Sequence, residues 1–189
     1  VEAKRLSAAV GYAGEKMNRP DWIASPSFAL VTKGMVKTGG IGLSLVMLLA
    51  WRDLAAARSL PSPALPASLD DTIAGLVTYG LAQIIDDDVL HKRSFEDGTT
   101  TFFRSDYYTG ELLLGLLAAS APRDAVAPLT VALMRRDYGV DIQSHWMAYA
   151  ACEAVERGYV EAAFGEAYLA RLVAHIAANT DYRLRRAST

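Results

Sequence analysis

Hydrophobic residues recur along this chain at intervals of three and four, which is the spacing of one face of an α-helix. In four segments polar residues fill the remaining positions, whereas three other segments are apolar nearly all round. A helix with one apolar stripe lies at a surface, and a helix that is apolar all round is buried. The pattern predicts seven helices, at about residues 6–17, 38–57, 69–85, 109–120, 123–136, 143–156 and 160–179.

The two kinds of helix alternate strictly along the chain, with the apolar ones second, fourth and sixth. A layered array of antiparallel helical hairpins has this pattern, because its inner helices are covered on all sides and its outer helices show one face to water. The inner helices also begin alike, with TGGIGLSLVMLLAW, YYTGELLLGLLAAS and QSHWMAYAACEAVE. We therefore predict an all-α hairpin array. One short β-hairpin-like loop is expected at Asp97-Gly98, between Phe95 and Phe102.

Length and composition predict one globular domain over residues 1–189. Hydrophobic residues make up 52% and charged residues 21%, as in a folded protein. The chain begins at Val1 and ends in RRAST, which we interpret as a fragment of a longer protein. The net charge of −2 gives no broad basic surface for nucleic acid.

The remaining bulk features bear on compartment. Cys152 is the single cysteine, so there is no intrachain disulfide, and the expected location is cytoplasmic or periplasmic. The longest apolar run, residues 39–51, contains three glycines and is short for a membrane span. This run predicts a buried helix of a soluble protein. Cys152 is expected to lie in another buried helix and to be unreactive.

Three segments carry a resemblance to the six-hairpin α/α toroid superfamily: KTGGIGLSLVMLLAW, FEDGTTTFFRSDYYTGELLLGLL and HWMAYAACEAV. That superfamily includes glycoside hydrolases, sugar epimerases, and lanthionine and terpene cyclases. The middle segment is similar to the block of Asp-Gly, an aromatic residue and Tyr-x-Gly-Glu before a Leu-rich inner helix. The resemblance covers about residues 33–178 and implies part of an (α/α)6 toroid, completed by the rest of a longer chain or by a second chain.

Two branches of the superfamily are excluded by their motifs. Lanthionine cyclases need two cysteines and a histidine for zinc, and this chain has one cysteine. Class I terpene synthases need DDxxD, whereas DDDVL has Leu90 at the last position. We expect no metal and no cofactor.

The resemblance implies an active site at the N-terminal ends of the inner helices, where free N–H groups also favour polar and anionic ligands. Carboxylates and an imidazole suit acid/base chemistry on a sugar, and aromatic faces suit stacking on it. The candidate catalytic residues are Asp106, Glu111 and His145. The candidate substrate-binding residues are Arg104, Tyr107, Tyr108, Asp141, Gln143 and Trp146.

Structural interpretations stand beside these functional ones. Glu111 would also suit the first turn of a helix capped by Thr109. His145 and Trp146 would also suit a helical core, and the run Asp86 to Asp88 suits a solvated loop better than a cation site.

Two functions follow from the sequence. The first is a carbohydrate-active enzyme, a glycoside hydrolase or a sugar epimerase. The alternative is a non-catalytic helical-hairpin module that binds a glycan or a protein partner, with a plain helical scaffold as a weaker third possibility.

Overall fold

The computed structural model describes residues 17–18, 27–100, 106–140 and 145–187. In these ranges the chain forms the six helices α1 (Thr38–Arg58), α2 (Leu69–Leu81), α3 (Asp106–Ala118), α4 (Arg123–Arg135), α5 (His145–Glu156) and α6 (Ala162–Ala187). The described strands are β1 (Met17–Asn18), β2 (Ala29–Thr32), β3 (Met35–Lys37), β4 (Ile84–Ile85), β5 (Asp88–Val89) and β6 (Lys92–Ser94). The mostly helical prediction is confirmed, with a small antiparallel sheet in addition.

Helices α1 and α3 run parallel with their backbones in contact. Gly39 lies against Tyr108 near the start of both helices, and Gly42 lies against Glu111 one turn further on. A Cβ atom on Gly42 would be 1.9 Å from the backbone oxygen of Glu111, and one on Gly115 would be 2.4 Å from that of Gly42. Only glycine permits so close a crossing, because any side chain would force the two helices apart.

Helix α5 runs parallel to α3 on another side. Near their starts, a Cβ atom on Gly110 would lie 2.9 Å from the backbone nitrogen of Met147. Beyond their ends, Arg157 donates from Nη1 to Ser120 Oγ over 3.0 Å. The three helices α1, α3 and α5 therefore form one parallel layer, with α3 in the middle and all N-termini at the same end.

The other helices return antiparallel to this layer. After α4, Tyr138 donates its hydroxyl proton to Thr109 near the start of α3, over 3.1 Å. After α2, Gln83 accepts from the amide of Leu90 over 2.8 Å, and the next residue, His91, accepts from the first amide of α1 over 3.1 Å. The starts of α1 and α3 thus each lie beside the segment that follows an outer helix.

Burial differs among the inner helices. The middle helix is covered along its Leu-rich part, where Leu112, Leu113, Leu116 and Leu117 are all inaccessible. In α5, however, Tyr149 is 60% exposed and Cys152 is exposed. The predictions that this helix is buried all round and that Cys152 is buried were wrong, because α5 forms an edge of the layer.

The small sheet was not predicted. Its strands are ordered β1-β2-β3-β6, and residues 29–37 form a hairpin in a stretch for which no element was predicted. Lys33 and Gly34 both have positive φ, at 51° and 68°, as a two-residue hairpin turn requires. Met17, which was assigned to the end of the first predicted helix, belongs to β1 and pairs with Leu30.

The turn predicted at Asp97-Gly98 is present. Gly98 has a φ of 74°, and Arg93 bridges Thr100 across the turn. Phe102 and most of the first predicted helix lie outside the described ranges.

Among the described residues, α1 is long and apolar enough to span a membrane on length and composition. The helix has 21 residues, whereas the apolar run noted in the sequence covers residues 39–51. Its most apolar 18-residue window has a mean hydropathy of 1.5, and 39% of that window is buried. Core helices of soluble proteins meet the same criterion, so this observation is weak evidence for a membrane span.

Candidate functional site

Glu111 lies on the side of α3 that faces α1. Its Oε2 atom is 1.9 Å from the position that a Cβ atom on Gly39 would occupy, and the Tyr108 ring is 2.9 Å from the same position. The carboxyl group therefore fills a notch at the start of α1 that exists because residue 39 has no side chain. This places an acidic group directly beside the N-terminus of a neighbouring helix.

Burial raises the pKa of the Glu111 carboxyl above its usual value. Within the described part of the chain, no hydrogen bond or ion pair to this carboxyl offsets the loss of water. A carboxyl in this environment holds its proton to a higher pH than an exposed glutamate does.

The interpretation of Thr109 as an N-cap was wrong. Helix α3 begins at Asp106, three residues before the predicted start, so Thr109 is in the first turn and Glu111 in the second. Thr109 is fully buried, and its hydroxyl is 2.8 Å from Nε2 of His91. Glu111 therefore does not occupy the first-turn position from which it was expected to meet the dipole of its own helix.

One further side chain, that of Lys37, lies near the notch. The ammonium group of Lys37 is 6.0 Å from the centroid of the Tyr108 ring, within the range of a cation–π contact. Lys37 is also the N-cap residue of α1, and its side chain makes no capping hydrogen bond. The first turn of α1 contains no acidic residue. The start of α1 thus combines a cation with backbone N–H groups that lack a side-chain cap.

The parallel layer strengthens this electrostatic character. Each helix carries a partial positive charge at its N-terminus, and the three inner helices present that end on the same side of the domain. The notch therefore lies where a polar or anionic group is favoured.

A buried network of hydrogen bonds joins the starts of α1 and α3 next to the notch. The carbonyl of His91 accepts from both the amide and the hydroxyl of Thr38, over 3.1 and 3.3 Å. The imidazole of His91 meets Thr109, which also accepts from Tyr138, and the Tyr138 carbonyl accepts from the hydroxyl of Tyr168. His91 is 1% exposed and connects the starts of α1 and α3 through these hydrogen bonds. Nothing in the sequence around His91 or Tyr138 signals this connection.

The contacts of the described residues do not assemble the predicted catalytic trio. His145 is exposed at the start of α5, and no hydrogen bond or ion pair in the described part of the chain joins it to Glu111. Gly110 faces α5, whereas Glu111, the next residue, faces α1. Asp106 opens α3, but its side chain is outside the description, as are Arg104, Asp141 and Gln143.

The predicted binding aromatics have different environments. Tyr107 is 51% exposed, and Tyr108 is half-buried at the notch. Trp146 is half-buried beside Gly110, and its ring centroid is 6.3 Å from that of Tyr149, which was not predicted as a site residue.

The acidic run forms the turn between β4 and β5. Asp86 has a φ of 54°, and Asp87 is 3.5 Å from Arg136 in an exposed ion pair. A cavity of about 220 Å³ is lined by residues 85–90 and contains none of the predicted site residues. In the described ranges no group of three potential metal ligands occurs.

Comparison with known proteins identified no relative: no family model, no curated protein and no solved structure matches the chain. The arguments for a function therefore rest on the notch and its surroundings.

Proposed function

We propose that this chain is a carbohydrate-active enzyme, a glycoside hydrolase or a sugar epimerase, with its site at the N-terminal ends of α1, α3 and α5. The observation that carries the proposal is the carboxyl group of Glu111, which lies in the notch over Gly39 with its pKa raised by burial.

A general acid must hold its proton near the working pH and release it to the reacting oxygen. A carboxyl group that is buried without an ion pair has a raised pKa, and it can therefore hold its proton closer to the working pH. In this proposal Glu111 protonates the glycosidic oxygen, or exchanges a proton with a sugar carbon in an epimerisation. Asp106, which begins the same helix, and His145 remain the proposed second acid/base groups.

Recognition of the sugar would come from groups that line the same end of the layer. The Tyr108 ring offers an apolar face for the C–H surface of a pyranose, and Lys37 offers a charged donor beside it. Tyr107 and Trp146 are proposed to extend this surface, together with Arg104, Asp141 and Gln143.

A second candidate function is a non-catalytic module that binds a glycan or a protein partner. The observation that favours it is the exposure of His145 on α5, away from the side of α3 that carries Glu111. Exposed Tyr107 and Tyr149 would serve such binding without a pair of acid/base groups.

A saccharide panel tests both functions. Thermal unfolding is measured with hexoses, uronic acids and short oligosaccharides, and product release is measured with the same compounds. The variant is Glu111→Gln, and the matched control is Glu166→Gln on the exposed surface of α6. The enzyme proposal predicts stabilisation and turnover by wild type and control. In Glu111→Gln, turnover should fall by about 10² or more, as for loss of a general acid.

The outcomes separate the candidates. If a saccharide stabilises wild type but neither wild type nor the control variant releases product, the binding module is favoured and the enzyme proposal is contradicted. Absence of stabilisation and of product with every saccharide would contradict carbohydrate as the ligand.

A further inference from the structure

Two lysines face each other across the strands β3 and β6. The register pairs Lys37, the last residue of β3, with Lys92, the first residue of β6. The amide of Thr38 donates to the carbonyl of His91 over 3.1 Å, so the two lysines are flanked by ladder hydrogen bonds and are not joined by them. Side chains in this kind of antiparallel pair emerge on the same face of the sheet, with Cβ atoms about 4.5–5.5 Å apart.

No acidic side chain pairs with either lysine in the described part of the chain. Like charges that lie directly opposite each other destabilise a sheet. Both lysines are half-buried, and neither ammonium group forms an ion pair within the described ranges. Arg93, the residue after Lys92, provides a contrast, because its Nε atom donates to Gln83 over 2.7 Å. The lysine pair therefore carries a repulsion that the contacts of the described residues do not offset.

The lysine pair lies beside the notch. The ammonium group of Lys37 is 6.0 Å from the centroid of the Tyr108 ring. Tyr108 and Glu111 both meet the position that a Cβ atom on Gly39 would occupy. Helix α1 begins directly after Lys37, and its first turn contains no acidic residue. The positive end of the helix dipole thus adds to the charge of the two lysines.

The neighbouring acid can leave this positive charge uncancelled. Burial raises the pKa of the Glu111 carboxyl, so this group holds its proton to a higher pH than an exposed glutamate does. In its protonated form the group neither neutralises the lysines nor repels an anion. The start of α1 therefore combines two cations that lack a counter-ion with a nearby proton donor.

We propose that Lys37 and Lys92 bind the anionic group of an acidic saccharide, one that carries a carboxylate or a sulfate, and select it over a neutral sugar. This inference rests on the proposed carbohydrate function and names the class of substrate. An anion between the two ammonium groups replaces their repulsion by two attractions, each of them a charge-assisted hydrogen bond. The Tyr108 ring then meets the sugar ring of the same saccharide, next to Glu111.

Thermal unfolding without ligand tests the repulsion within the pair. Lys92→Gln removes one charge and keeps a polar side chain, so it should melt at a higher temperature than wild type in low salt. The difference should shrink as added salt screens the repulsion. Lys33→Gln is the matched control, because Lys33 is exposed in the turn at the other end of β3. If Lys92→Gln melted at or below the temperature of wild type in low salt, the inference would be overturned.

Binding of matched sugars tests the class of ligand. Glucuronic acid, glucose 6-sulfate and glucose are titrated at one pH and one ionic strength, with inorganic sulfate as a probe of the anion alone. At least one acidic sugar should bind wild type and Lys33→Gln about tenfold or more tightly than glucose does. Lys92→Gln should lose about tenfold or more in affinity for that acidic sugar, as for one charged hydrogen bond, and should bind glucose unchanged. Circular dichroism checks that each variant is folded.

The outcomes separate this inference from the proposed function. If glucose binds as tightly as the acidic sugars and Lys92→Gln changes neither, the inference is overturned and the carbohydrate function stands. If neither acidic sugar binds wild type, the inference is overturned, and the saccharide panel decides the carbohydrate function separately. If inorganic sulfate binds as tightly as glucose 6-sulfate and Lys92→Gln loses both, the pair holds an adventitious ion only, which also overturns the inference.

Discussion

The Oε2 atom of Glu111 lies 1.9 Å from where a Cβ atom on Gly39 would be, so the absence of one side chain creates the space for another. The notch belongs to two parallel helices whose backbones touch one turn further on, at Gly42. Position 39 therefore sets where the carboxyl lies, and position 42 sets how closely the helices approach.

This difference predicts unequal effects of two alanine substitutions. In Gly39→Ala the new methyl group meets the side chains of Glu111 and Tyr108, which are half-buried and can move, so the fold should lose no more than about 1–2 kcal/mol. In Gly42→Ala the methyl group meets the backbone oxygen of Glu111, also at 1.9 Å, and the helices must separate. That change should cost about 3 kcal/mol or more.

Urea unfolding of both variants measures the difference. Each substitution replaces glycine by alanine in the same helix, so the change in helix propensity has the same sign at both positions and offsets in part in the comparison. Equal losses at the two positions would show that the Glu111 side chain is held in the notch as rigidly as the backbone.

The pH dependence of stability should reveal the burial of Glu111. Because burial raises the pKa of this group, the folded chain binds the proton more tightly than the unfolded chain does. The contribution of this group to folding stability is fully present at a pH below its ordinary pKa of 4.5. That contribution is lost as the pH rises through the raised pKa of the folded state. Glu111→Gln stays neutral, so it should be more stable than wild type at pH 7, with the advantage fading in acid.

Thermal unfolding of wild type and Glu111→Gln across this pH range checks the prediction, with Glu166→Gln as the control for loss of a surface charge. If wild type were the more stable protein at pH 7, the N-terminus of α1 would stabilise the carboxylate more than burial penalises it.

The buried chain beneath the notch should be sensitive to loss of one hydroxyl. Thr109→Val removes the group that meets both His91 and Tyr138, at 2.8 and 3.1 Å. The cost should be about 1–3 kcal/mol, since buried polar groups lose a partner. Thr109→Ser keeps the hydroxyl and is the matched control. Chemical denaturation that found the two variants equally stable would contradict this role for the hydroxyl.

Local signals in the sequence predicted much of the helical fold. The third helix was predicted to begin at about residue 69, and α2 does begin at Leu69, where the Ser68 hydroxyl accepts from the amide of Asp71 over 3.1 Å. No element was predicted at Lys33-Gly34, where both residues have the positive φ of a hairpin turn. The fourth helix was predicted to begin at about Thr109, whereas α3 begins three residues earlier, at Asp106.

Other features depend on contacts between distant residues, which a single sequence does not encode locally. The composition of α5 is that of a covered helix, but Tyr149 is exposed because its layer ends there. The sequence placed Glu111 near a helix start, and it lies in the second turn of α3. Its direction toward Gly39, and not toward His145, depends on how α1 crosses α3.

The pKa of the Glu111 carboxyl tests the central claim most directly. An NMR titration that follows the side-chain carboxyl carbon of Glu111, assigned with Glu111→Gln, measures its pKa in wild type and in Gly39→Ala. Our account predicts a pKa above 4.5 in wild type, and a value closer to 4.5 in Gly39→Ala because the carboxyl is displaced into water. A wild-type pKa at or below 4.5 would contradict the account, since the carboxyl would then be ionised and unable to act as the proposed acid.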